Sequence, residues 1–558
     1  MLRRRALYGL GAVGAAATLP ITSASGDRSG KTTDSGGDGV HANQNVKGTP
    51  VLDWSRMAVE TVQETNQIIP ISGRTYALVH ASMYDAINGV HMARGGGYES
   101  HEPYAVEPDV TPGACRAAAG CGAAHEALNI VLDDLVDAGV LDEHQDAGLI
   151  ADLQGRYDDL FDQHTDEENT GYADAGEAWG REVAQQIRNM RDDSVLFDGI
   201  DDIPPGEEDE MDLTFDPEPG TAQRATEWGN ANLAFMEPWV GDDSSVYNPP
   251  PPPDVDSIEW VVDYLRTREL GNDAPGHEPD EEIVLDLSTI DLTDDDLAFL
   301  NERDTGGEFV ADDIAEERVD WDPNTETLVL GFRRPDDYDT LAEFWATLAG
   351  TAQPEGRWVQ IARVLAEEDE SRSILDNARM LTRVCLAVNE ASIANWNAKR
   401  RFADHLSWRP HGAIGSEQFA DEGLISEYNV EDIEGPIGDL FRSIDAADPD
   451  WEAISDWTPS PEYPSGLTMS STASMTVLKE EFGENVSFTL TGDDGIKASR
   501  AGQEPALITE PFEFESFEDA RNLARDSREM VGRHYRFALR ASEVAGEEVA
   551  LDVIDKLA

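Results

Sequence analysis

Apolar and polar positions divide this 558-residue chain into three textures. From Val51 to about Arg191 apolar residues recur at helical spacing. Arg74 to Ile87, Ala117 to Val140 and Ala173 to Met190 are also rich in good helix formers. From Asp192 to Asp339 that rhythm is broken by Pro204-Pro205, by the acidic run Gly206 to Met211, and by the prolines from Pro249 to Pro253. Within this stretch Ser257 to Arg268 predicts a helix, and Glu282 to Leu287 and Thr327 to Phe332 predict short strands. Helical spacing returns from Thr340 to Ala558, interrupted at Pro410, from Pro459 to Pro464 and from Pro505 to Pro511. There is no internal repeat, and no alternation of strand and helix that would support a doubly wound sheet. The expected class is all-α: a helical-bundle architecture with an acidic, Pro-rich insertion carrying short strands. The expected regions are an N-terminal helical region at 49–195, the acidic region at 196–339 and a C-terminal helical region at 340–558.

The first residues follow a different logic. Arg3-Arg4-Arg5 precede an apolar stretch from Ala6 to Pro20, and Thr22-Ser23-Ala24 resembles a cleavage site. Adjacent arginines in this position resemble a twin-arginine signal, so residues 1–25 are read as an export signal and the protein as secreted. The apolar stretch is short of the roughly 20 residues that a membrane span needs. Residues 26–48 read as a flexible linker, and no later segment is apolar enough to span a bilayer.

Composition narrows the field. The formal net charge is −72, with 113 acidic and 41 basic residues. A surface of that sign does not neutralise nucleic-acid phosphates or dock on anionic lipid through a basic patch. With 40% hydrophobic residues, 12 Trp, 17 Phe and 13 Tyr, the chain has material for a large core. Six of the 41 basic residues are Lys, at 31, 47, 399, 479, 497 and 556. Acid excess with little lysine resembles proteins of salt-loving microbes, where screening shortens the reach of surface repulsion. The three cysteines are no disulfide scaffold; Cys115 and Cys121 are spaced either to bridge or to be ordinary buried thiols.

The candidate chemistry lies in the C-terminal half. The N-terminal helices show no catalytic cluster and read as packing elements. One stretch contains Trp396, Lys399-Arg400-Arg401, His405, Trp408-Arg409-Pro410 and His411. A second is Tyr463-Pro464-Ser465-Gly466-Leu467-Thr468, and a third runs from Ser527-Arg528 through Gly532 to His534. Together they resemble the vanadium-dependent haloperoxidases and the related acid phosphatases of the type 2 phosphatidic acid phosphatase superfamily. That pattern has a Lys and an Arg-Pro six residues apart, then Pro-Ser-Gly-His, then Ser-Arg with a His six positions after the Arg. Arg528 and His534 match its spacing. Pro464-Ser465-Gly466 match, but Leu467 stands where the family has His. Lys399 and Arg409-Pro410 match, with nine residues intervening. Leu52-Asp53-Trp54, Arg74 to Asn88, Glu343-Phe344-Trp345, Gly356-Arg357-Trp358 and Asn377-Ala378-Arg379 also look like family landmarks. The resemblance leaves a segment at about 270–338 unexplained.

The resemblance implies bound vanadate, with hydrogen peroxide and halide as substrates. Lys399, Arg409, Ser465, Gly466 and Arg528 would cradle the anion, and His534 would be its covalent ligand. In the phosphatase alternative the same cradle holds phosphate from a small phosphate ester, and His534 is the nucleophile. A third alternative is a catalytically degenerate oxyanion-binding protein. A homo-oligomer is compatible with all three.

The chemistry suits such an anion. Arg presents a planar fork of donors and Lys a compact charge, while a Ser-Gly turn opening a helix adds backbone N–H groups. Two geometric conditions follow. A six-residue step on a straight helix places Arg528 and His534 about 120° apart, so the helix must end near Gly532 or the anion must sit between them. Pro410 disfavours helix at Arg409, so a break must come before it. Arg400 and Arg401 compete with Lys399 for its role, and His405 and His411 are the nearby substitutes for the His missing at 467.

Overall fold

The computed structural model describes residues 49–95, 100–165, 170–191, 196, 231–241, 243–312, 315–335, 337–402, 408–417, 429–455, 460–500 and 503–558. The signal-like segment 1–25, the linker 26–48, Pro204-Pro205, the acidic run 206–211 and His405 lie outside the described residues.

The N-terminal half opens with α1 (Thr49–Glu64), α2 (Ile69–Arg94), α3 (Arg116–Asp137), α4 (Ala147–Thr165) and α5 (Thr170–Met190). Helix α1 buries Val51, Trp54, Ala58 and Val62, an apolar stripe at helical spacing. Helix α2 is buried all round from Ile71 to His91, so its polar residues need internal partners. Arg74 pairs with Asp134 at 2.6 Å, and Asp85 accepts the N–H groups of Tyr104, Ala105 and Val106 at 2.7–2.9 Å, pinning that segment to the helix. Cys115, Cys121 and Cys385 are thiols.

The second half is built on α6 (Ile258–Leu270), α7 (Asp294–Arg303), α8 (Tyr338–Phe344), α9 (Gln353–Glu368), α10 (Ile374–Arg401), α11 (Pro410–Ile414), α12 (Pro436–Ser443), α13 (Gly466–Phe482), α14 (Phe517–Met530) and α15 (Arg536–Lys556). Helix α10 starts at a capping box, where Ser373 accepts from the Asp376 N–H and Asp376 accepts from the Ser373 N–H. It packs on α2 on one side and on α13 and α15 on the other, and so joins the two helical halves. No described helix is long and apolar enough to cross a membrane.

The expected strands form at β1 (Ile283–Asp286) and β4 (Thr327–Arg333). Two more, β2 (Val310–Asp312) and β3 (Ala315–Asp322), complete an antiparallel sheet of order β1-β4-β3-β2. Ala315, Glu317, Val319 and Trp321 alternate inward along β3. That face packs on α6 within one hydrophobic cluster that also contains Trp408, Trp451, Tyr463, Tyr535 and Phe537. The insertion is therefore continuous with the core behind the C-terminal motifs.

A buried ion chain crosses the same junction. Arg266 on α6 pairs with Glu317 of the sheet at 2.7 Å and with Glu529 of α14 at 2.9 Å, all three side chains being no more than 3% exposed. Arg303 binds Glu317 from the other side at 2.6 Å. Removing one partner of such a set strands the others without counter-charge. Glu317→Ala is expected to lower stability by about 3–5 kcal/mol, measured by guanidinium unfolding.

The core between α2, α9 and α10 holds Glu355, whose carboxylate accepts the Ser392 hydroxyl at 3.2 Å and the Ser72 hydroxyl at 3.5 Å. Burial pushes its carboxyl up to about 7. A carboxyl raised above its unfolded value favours the folded state most fully at acid pH. That contribution is complete below about pH 4. It is lost as pH rises through about 7. The stability of the wild type relative to Glu355→Gln should therefore fall between pH 4 and pH 7.5, read from unfolding curves across that range.

Candidate oxyanion site

Four segments meet around His534. They are the last turns of α10, the entry to α11, the turn at 460–466 leading into α13, and the end of α14 with the loop that follows. The loop satisfies the first geometric condition. Helix α14 stops at Met530, and Gly532 takes φ +71°. The Gly532 N–H donates to Glu529 O, and the Arg533 N–H to Arg528 O, both at 2.9 Å, which is a Schellman closure with glycine at its left-handed position. A Cβ on Gly532 would also meet the Trp451 ring at 2.4 Å. The reversal brings the His534 N–H to 3.3 Å from Arg528 O, so the two residues are brought together without sharing a helix face. The second condition holds too, since α10 ends at Arg401 and Arg409 is the N-cap before Pro410.

Among the three adjacent basic residues, Lys399 alone is buried; Arg400 lies over Phe235, and the exposed Arg401 bonds Asn248. Lys399 Nζ donates to Pro461 O and Pro464 O, both at 2.7 Å, and to Glu462 O at 3.4 Å. Arg409 donates from Nε to Ser460 O at 2.9 Å, and from Nη2 to Ser460 Oγ at 2.8 Å and Pro461 O at 3.0 Å. Its Nη1 reaches Arg533 O at 2.7 Å and His534 Nε2 at 3.2 Å. The two cations thus stitch the 460–464 turn to the His534 loop. Arg528 donates from Nη1 to Trp345 O at 3.3 Å, and its buried Nε has no partner among the described residues.

Ser465 is the N-cap of α13 but does not cap it with its side chain. Its N–H donates to Ser542 Oγ at 2.8 Å, and its hydroxyl accepts from Thr468 at 3.0 Å. Gly466 is needed for close packing, because a Cβ there would lie 3.0 Å from Asn395 Nδ2. Leu467 follows in the first turn and is 8% exposed.

Sequence reasoning missed three residues. Glu462 is 1% exposed, and its Oε1 accepts both the Tyr535 N–H at 3.0 Å and His534 Nδ1–H at 3.1 Å. Arg409 only donates, so its contact with His534 Nε2 makes that nitrogen the acceptor and leaves the imidazole hydrogen on Nδ1, facing Glu462. Arg533, half-buried on Ser455, acts on His534 and Arg528 through its charge. Asn395 lies one turn before Lys399. A lone acid inside Pro461-Glu462-Tyr463-Pro464 was the available signal for Glu462; nothing local marked Asn395 or Arg533.

The electrostatics follow from burial. Lys399 is pushed well below the usual lysine range by desolvation and then by Arg409. Arg528 is lowered by desolvation, Arg533 and Arg409. His534 is held neutral by desolvation and by Arg409, Lys399, Arg528 and Arg533. Burial pushes Glu462 up to about 7, against the pull of Arg409, the Tyr535 N–H and Lys399. His411 is held down to about 3 by burial and the charges of Arg409 and Arg533, so near neutral pH it has no proton to donate as an imidazolium.

Four basic side chains, Lys399, Arg409, Arg528 and Arg533, therefore surround one neutral imidazole, with Glu462 set against them. Among the described residues no three His, Cys, Asp or Glu side chains converge as a chelating set. Vanadate fits these residues: it would bring the missing negative charge, an acceptor for Arg528 Nε, and a metal for His534 Nε2 in place of the Arg409 hydrogen.

Residues 379–558 match the family described as the VCPO second helical-bundle domain. Among solved structures, the chain resembles the first bacterial vanadium-dependent iodoperoxidase, with 17% identity and a TM-score of 0.55, covering 92% of this chain and 97% of that one. It also resembles an apo-type bacterial vanadium-dependent chloroperoxidase, with 14% identity and a TM-score of 0.50, covering 88% and 95%. A sequence comparison with curated proteins returns no match. Residues 379–558 thus match the VCPO second helical-bundle domain, and the chain shares the fold of bacterial vanadium-dependent haloperoxidases.

Proposed function

We propose that this protein holds vanadate among Lys399, Arg409, Arg528 and His534, and catalyses peroxide-driven oxidation of halide. The observation that carries this is the buried excess of positive charge around a neutral His534 whose Nδ1–H is held by Glu462. Bound vanadate supplies a Lewis acid that activates peroxide without changing its own oxidation state. Every other part of the work falls to the chain. His534 presents Nε2 as the ligand atom, and Glu462 fixes the ring and its tautomer. Arg409 holds the histidine loop to the 460–464 turn and sets a charge beside Nε2. Arg528 offers Nε to an anion oxygen, and Lys399 contributes its charge from a position anchored on three carbonyls. Export through residues 1–25 and adaptation to brine belong to the same proposal and rest on the sequence alone.

In wild-type protein loaded with orthovanadate in high salt, bromide oxidation by peroxide is expected. His534→Ala should abolish it and should also abolish vanadate binding followed by vanadium NMR. Vanadate binding that survives His534→Ala would overturn the ligand assignment. Phosphate-ester hydrolysis assayed in parallel, without vanadate, distinguishes the phosphohistidine alternative.

Leu467 favours a second reading, in which the site binds an oxyanion but turns over slowly or not at all. Leucine cannot move a proton, and general acid–base assistance is worth about 10²–10⁴-fold. Leu467→His is therefore expected to raise turnover about 10²-fold while changing anion affinity little. An unchanged rate would show that position 467 does not limit the chemistry.

A further inference from the structure

We propose that this site selects an oxyanion that carries a proton, of the phosphate and vanadate class, and that Asn395 is the residue that reads that proton. The inference rests on the oxyanion reading above and deepens it.

Asn395 stands four residues before Lys399 on α10, so both side chains project from one face of that helix. It is 3% exposed. Its amide lies against the start of α13: a Cβ on Gly466 would be 3.0 Å from Asn395 Nδ2 and 3.8 Å from Oδ1. That places it beside the turn whose next residue, Leu467, offers no polar group. Asn395 Oδ1 is buried and has no hydrogen-bond partner among the described residues. An acceptor in that condition is unfavourable unless a donor arrives with the ligand.

The chemistry of the anion decides which ligand can bring one. Lys399, Arg409 and Arg528 only donate, so they suit any oxyanion, protonated or bare. Asn395 Oδ1 only accepts. A bare anion oxygen placed against it sets two acceptors face to face. A P–OH or V–OH group donates to it and satisfies both partners. Near neutral pH phosphate and vanadate keep at least one hydroxyl, whereas sulfate keeps none. A site built to bond a hydroxyl rejects an analogue that lacks it, because the buried partner is left unpaired. Asn395 is thus a specificity-determining residue, and the cations supply affinity common to both anions.

The test is calorimetric titration of the full chain in concentrated potassium chloride at pH 7, with inorganic phosphate and with sulfate. Wild type should prefer phosphate by at least about tenfold. Asn395→Leu should lose about tenfold for phosphate and hold or gain affinity for sulfate, so that the preference disappears. Asn395→Asp keeps an acceptor and should keep the preference while weakening both anions. If Asn395→Leu does not fold by circular dichroism, Asn395→Ala against Asn395→Asp makes the same comparison. Equal wild-type affinity for the two anions, or a preference that survives loss of the amide, overturns the inference and leaves the oxyanion reading standing. Wild-type protein that binds neither anion overturns both.

Discussion

Burying several cations around one neutral histidine is the constraint on which the rest of the C-terminal half depends. Desolvation alone pushes Lys399, Arg528 and His534 toward their neutral forms, and mutual repulsion adds to it. The fold answers with oxygen dipoles. Carbonyls of Ser460, Pro461, Glu462, Pro464 and Arg533 absorb the hydrogens of Lys399 and Arg409. Those dipoles solvate the charges without cancelling them. The net positive charge left over is what an anion meets.

Such a cluster holds its geometry only if its supports cannot yield. The His534 loop is tied from below by Ser455 Oγ on Val531 O at 2.9 Å, and from behind by Asp263 of α6, which accepts the Phe537 N–H at 2.7 Å. Gly271 at the end of α6 sits against Glu529 O and Gly532 Cα, an approach that no side chain permits. Helix α6 is in turn clamped by the sheet through Arg266 and Glu317. The insertion that the family resemblance left unexplained is thus the outer brace of the loop that carries the candidate ligand.

The acidity of the chain and the basicity of the site act at different ranges. A formal charge of −72 repels anions at long distance, and salt shortens that reach to about a Debye length, roughly 3 Å at 1 M. Buried charges are screened far less. At high salt an anion would respond to the local excess of cations once it reached the site, which reconciles a carboxylate-rich surface with a cation-lined interior.

Much of this was legible in the linear chain, and the limits of legibility have a physical cause. Apolar periodicity determined the helices, because each helix must bury a stripe that its own residues encode. Strands β1 and β4 announced themselves, whereas β3 carries Glu316, Glu317, Arg318 and Asp320 and does not read as a strand; Glu317 is paired by Arg266 and Arg303 from other elements. The spacing of Arg528 and His534 and the break before Pro410 pointed to the site, and Leu467 marked a missing proton carrier. Glu462 and Asn395 gained their meaning only in three dimensions. Glu462 sits 72 residues from His534 in the chain, and Asn395 meets Gly466 across two helices. By itself the sequence determined the helical class and the acidic composition, and it raised the expectation of an anionic ligand. Tertiary structure alone decided which cations are buried, which imidazole nitrogen carries the hydrogen and which acceptor is left waiting, because burial and hydrogen-bond partners are supplied by residues far away along the chain.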